Sequence, residues 1–136
     1  MKKLVLAIVV CFVFLMGTNF LIHGVWLTPD YNAIPASHRS AAEIQQKFWA
    51  LVIGQICFAA MFAYIYTRGL EKKPWLAQGL RYGVLVALLT VIPYSLSEYD
   101  TYIIPSSLVV KWIVSEAVQL IVLGAIVAGI YKSETA

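Results

Sequence analysis

PSSLVVKWIVSEAVQLIVLGAIVAGIY, residues Pro105 to Tyr131, decides the class of this protein. A helix rises about 1.5 Å per residue and the hydrocarbon core of a bilayer is about 30 Å thick, so the run is long enough to cross. Yet it carries Lys111, Ser115, Glu116 and Gln119. At about 100° per residue these side chains, with Trp112, share one arc of roughly 140°, and Val, Ile, Leu and Ala fill the rest. A carboxylate facing lipid deep in a membrane costs at least a few kcal/mol. That face therefore turns toward other helices or water.

The composition extends this reading to the whole chain. Of 136 residues, 61% are hydrophobic and 12% charged, with a mean hydropathy of +0.80. Soluble domains carry about 25% charged residues, so this chain lacks the means to coat a water-facing surface. The length predicts one transmembrane domain over 1–136 with no separate soluble domain. A net charge of +3 is no footprint for nucleic acid. Cys11 and Cys57 lie in apolar runs without a CxxC and read as small buried hydrophobes.

Four helices are predicted, over about 4–27, 41–67, 76–97 and 106–131, forming an all-α polytopic membrane four-helix bundle. The start, MKKLVLAIVVCFVFLMG, has the basic-then-apolar character of a secretory signal. The run continues to Leu27, however, which makes it a full, uncleaved span. On it Asn19, His23 and Trp26 share a face with Phe12 and Met16, while Gly17 and Gly24 offer the opposite side to another backbone. The polar connection that follows contains Pro29, Pro35, His38 and Arg39, and Ser40-Ala41-Ala42-Glu43 reads as a capping box opening the second helix. Gln55 is that helix's strongly polar interior residue. Residues 68–75 form a short basic hairpin loop. The third helix carries a small-residue stripe, Gly79, Gly83 and Ala87, and Pro93 should kink it one turn before its end.

Basic residues set the orientation. Lys2, Lys3, Arg68, Lys72, Lys73, Arg81 and Lys132 fall on one side, whereas Arg39 and Lys47 share the other with Asp30, Glu43, Glu98 and Asp100. Both termini are thus expected in the cytoplasm. Counting from the outer helix ends, Asn19, Gln55 and Glu116 lie roughly 10–14 Å deep, and His23, Tyr94 and Lys111 roughly 6 Å. The inner half is almost wholly apolar. This coincidence predicts an outward-facing polar pocket lined by Glu116, His23, Asn19, Gln55, Tyr94, Lys111 and Gln119.

A plainer account stands beside it. Asn, Gln and His in membrane helices serve as interhelical hydrogen bonds of about 0.6–2 kcal/mol, and Lys111 is long enough to snorkel to the interface. Glu116 is too short and too deep for that. It pairs with His23 or Lys111, keeps its proton, or faces a wet cavity. Catalytic chemistries fail on inventory: zinc wants three or four ligands where only His23 and Glu116 meet, haem wants a second intramembrane histidine, and no G-x-S-x-G occurs. Hence no catalytic residue, metal or cofactor is assigned, and the chain leans away from enzyme.

N-F-L-I-H-G-V-W-L at residues 19–27, Y-T-R-G-L-E at Tyr66–Glu71 and G-L-R-Y-G at Gly79–Gly83 resemble small bacterial four-span proteins of uncharacterised function. The resemblance spans most of the chain, implies a bacterial inner-membrane protein and transfers no site residue. Size and a single deep glutamate are also similar to small multidrug exporters. In those the glutamate belongs to the first helix, whereas here Asn19 occupies the first helix and Glu116 the fourth. Two functions follow as expectations: binding or transport of a small polar or cationic ligand or a proton, or service as a non-catalytic subunit or assembly factor. The bilayer is the first partner, and a homodimer or larger membrane complex the second.

Overall fold

The chain is described by a computed structural model covering residues 1–34 and 39–132. Pro35 and His38 of the polar connection, and the tail at 133–136, lie outside the described residues. Among those described, the chain is all-helical with no strand. Helix α1 (Lys2–Asn19) continues as a π-helical turn (Phe20–Trp26), followed by the short α2 (Thr28–Asn32) and α3 (Ala41–Gln46). Then come α4 (Phe48–Arg68), α5 (Trp75–Thr101) and α6 (Ser106–Ile130). Four stretches are long and apolar enough to cross a membrane: Lys2–Trp26, Phe48–Arg68, Trp75–Thr101 and Ser106–Ile130. Met1, Lys2, Lys3, Thr67 and Tyr131 surround one hollow, so the N-terminus, the end of α4 and the end of α6 meet at one end of the bundle.

The helices do not form a closed square. Helix α5 packs along α6, α6 meets α1, and α1 packs on α4, giving the spatial order α5–α6–α1–α4. The α5–α6 seam follows from its small residues. A Cβ added to Gly79 would stand 2.5 Å from the Gly124 carbonyl oxygen, and one added to Gly83 would stand 2.5 Å from that of Leu120. Only glycine allows such backbone approach. On the other side of the bundle, Ala7, Cys11 and Leu15 repeat every fourth residue along α1 and join Ala59, Phe62 and Ala63 of α4 in the buried core.

Several sequence expectations need correction. The second helix is broken at Lys47 (φ −100°, ψ 5°) rather than continuous from 41 to 67. The capping box opens α3, with Ser40 N–H donating to the Glu43 carboxylate at 3.0 Å, but α3 is wholly exposed and nothing packs it into line with α4. Helix α5 runs to Thr101 instead of Ser97. Pro93 lies within α5 without ending it, and termination waits for Tyr102, which is extended (ψ 151°) ahead of Pro105. Gly17 has nothing within 4 Å, and Gly24 faces only the ring of Phe20, so neither receives another backbone. Cys11 is buried as expected, whereas Cys57 is exposed.

Candidate functional site

Polar residues of α1, α2 and α6 converge at the end of the bundle away from the termini. The change of winding in α1 sets them up. From Phe20 to Trp26 the chain follows the wider π pattern, in which Leu27 N–H reaches back five residues to the Ile22 carbonyl at 2.8 Å. Thr28 Oγ1 caps the freed Gly24 carbonyl at 2.8 Å. The wider turn resets the phase of the helix after Asn19, and His23 comes to face α6.

There His23 Nε2 lies 3.7 Å from Glu116 Oε1, with about a third of the histidine side chain and a quarter of the glutamate exposed. The other ring nitrogen, Nδ1, is 2.6 Å from the Tyr31 hydroxyl. Tyr31 in turn accepts from the Trp112 indole N–H at 2.9 Å and lies end to end with the imidazole, ring planes 13° apart and centroids 6.2 Å apart. When Tyr31 donates to Nδ1, His23 carries its proton on Nε2, facing Glu116. Trp112, Tyr31 and His23 then form one directional hydrogen-bonded chain that points at Glu116. Burial pushes the Tyr31 phenol up to about 12, assisted by the Glu116 and Asp30 carboxylates and opposed by the Trp112 hydrogen bond.

Lys111 takes another course. Its ammonium grips both oxygens of Asp30, at 2.7 and 2.8 Å, and stands 5.9 Å from the Trp26 ring centroid. This ion pair ties α2 to α6 directly over the histidine and glutamate. One turn deeper, Gln119, 7% exposed, donates to Thr18 Oγ1 and to Asn19 Oδ1 at 2.9 Å. Thr18 passes its own hydroxyl proton to the Phe14 carbonyl at 2.7 Å. Below this rung α1 and α6 bury Cys11, Leu15, Leu123 and Val127 among others.

Of the pocket residues read from the sequence, the fold brings His23 to Glu116 and Asn19 to Gln119, and sends Lys111 to Asp30. It does not bring in Gln55 or Tyr94. The Gln55 side chain makes no hydrogen bond among the described residues, and Tyr94 is 62% exposed. Shared depth is therefore realised between α1 and α6 and not around all four helices. Sequence reasoning passed over Thr18, Asp30 and Tyr31 as site residues. Thr28-Pro29-Asp30 did carry a signal for the last two, because proline and an acid in a first turn mark a helix start that would fold the connection back over the site. Thr18 carried none.

Among the described residues no three His, Cys, Asp or Glu side chains converge as metal ligands. The arrangement can accept a proton or a small cation at the imidazole–carboxylate pair and relay hydrogen bonding to the rim through Tyr31. The chain matches no protein-family profile, no curated protein and no solved structure.

Proposed function

We propose that this is a bacterial inner-membrane protein with cytoplasmic termini that binds a proton or a small cation from the outer side at the His23–Glu116 pair. The 3.7 Å approach of these two ionisable groups, from helices distant in sequence, carries the reading. Intramembrane ionisable residues are costly, and a pair of them left partly exposed retains access to water. The hydrogen bond to the Tyr31 hydroxyl supplies a path for proton exchange at the rim, and the Tyr31 and Trp112 rings suit a cation beside the carboxylate. The excess of Lys and Arg at the terminal end supports the orientation.

The test is thermal unfolding in detergent, scanned between about pH 5 and 8, where histidine ordinarily titrates, and with tetramethylammonium as a cation probe. The native chain should show a step in melting temperature with pH or with the cation, absent in Glu116→Gln and in His23→Ala. A response that survives both substitutions sinks the proposal.

A further inference from the structure

Helices α4 and α5 follow each other in the chain, but their backbones stay apart and only side chains bridge them. What joins them lies toward the terminal end: Tyr82 donates to the Phe62 carbonyl at 2.8 Å, and Gln78 reaches the Tyr66 hydroxyl at 3.4 Å. Alongside these contacts runs a cleft of about 580 Å³. Phe58, Met61 and Ile65 of α4 form one wall, and Leu85, Val86 and Leu89 of α5 the other. Its α5 wall, from Gln78 to Thr90, is about 18 Å long, close to one leaflet of a bilayer whose core is about 30 Å thick. Volume over length gives a bore of roughly 6 Å, too narrow for a helix of about 10 Å diameter and wide enough for a hydrocarbon chain.

The mouth of the cleft is polar and basic. Arg81, Gln78 and Glu71 line it, and Arg68, Lys72 and Lys73 lie in the adjoining hairpin. Glu71 is the single carboxylate among these cations. Lys73 holds its Oε2, which Arg81 reaches with one nitrogen at 3.4 Å. The remaining N–H groups of the guanidinium fork are left for an anion. We propose that this cleft binds one anionic glycerophospholipid from the leaflet on the terminal side, with an acyl chain between α4 and α5 and the phosphate on Arg81. Basic pockets between membrane helices recognise anionic head groups in this way.

Native mass spectrometry of the full chain in mild detergent, with dioleoyl phosphatidylglycerol and dioleoyl phosphatidylcholine supplied equally, tests the proposal. One phosphatidylglycerol per chain should be retained in preference to phosphatidylcholine. Arg81→Gln should cut that preference about fivefold, the effect of one basic residue near a membrane surface. Val86→Phe, which fills the bore, should lower retention of both lipids; Leu85→Trp at the exposed rim makes the same test if Val86→Phe fails to fold by circular dichroism. Equal retention of both lipids by the native chain, indifference to Arg81→Gln, or a second polypeptide bound in one-to-one ratio would overturn it.

Discussion

Lys111 and Asp30, 81 residues apart in the chain, meet through both carboxylate oxygens, the only ion pair that ties α2 to α6 among the described residues. Because about a third of the lysine side chain is exposed, the pair should act as a surface clasp. A double-mutant cycle of Lys111→Met and Asp30→Asn should give a coupling of about 0.5–1 kcal/mol. Thermal unfolding at about 0.01 M and 1 M salt should show it shrinking as screening rises.

His23 and Glu116 should couple more strongly. Glu116→Gln leaves the imidazole without its carboxylate, and His23→Ala leaves the carboxylate without its imidazole. Each should destabilise the protein at pH 7, with a coupling of about 0.5–1.5 kcal/mol, below the figure for fully buried pairs because both side chains are partly exposed. Strict additivity, with a silent Glu116→Gln, would make Glu116 a neutral packing residue.

Gln119 and Gln55 provide a matched pair. Gln119 donates to Thr18 and Asn19, so Gln119→Leu should cost about 0.6–1.7 kcal/mol, the range for interhelical hydrogen bonds in membranes. Gln55→Leu removes no such bond and should be neutral or stabilising. Chemical denaturation in mixed micelles would distinguish them, and equal costs would contradict the arrangement described.

Glycines divide in the same manner. Gly83→Ala forces a Cβ to within 2.5 Å of the Leu120 carbonyl oxygen, and prying α5 from α6 should cost about 1–3 kcal/mol. Gly17→Ala meets nothing within 4 Å and should gain up to about 1 kcal/mol of helix propensity. The two melting temperatures should move in opposite directions.

Tyr31 gives a pH signature at the alkaline end. Burial holds its phenol up to about 12 in the folded protein, against an ordinary value of 10.0. Between those limits the unfolded chain has released the proton and the folded chain has not, so stability falls as pH rises. The contribution is complete below pH 10.0 and lost on passing about 12. Tyr31→Phe should remove this part of the alkaline loss, which the difference in melting curves would show.

The four spans were legible because each is a long apolar run, and the close-packing face of α5 because small residues recur at spacing four. The order of the helices around the bundle was not legible. Periodicity fixes which residues share a face of one helix, but it says nothing about which neighbour that face meets. Gln55 was grouped with Asn19 and Glu116 on depth alone, and depth takes no account of α4 packing mainly against α1. The facing of His23 was legible, because it shares a face with Asn19 and both meet α6. The fold-back of Asp30 and Tyr31 was not, since it rests on a single short helix.

Asn19 and Gln119 are 100 residues apart, and this separation becomes a delay during synthesis. At about 5–20 residues per second, α1 emerges roughly 5–20 s before the helix that completes its hydrogen bonds. Throughout that interval Thr18, Asn19 and His23 must borrow partners from the insertion machinery, from water or from their own backbone. The polar site is thus the last part of the protein to be born, and a chain stalled before α6 would expose it to lipid or to quality control.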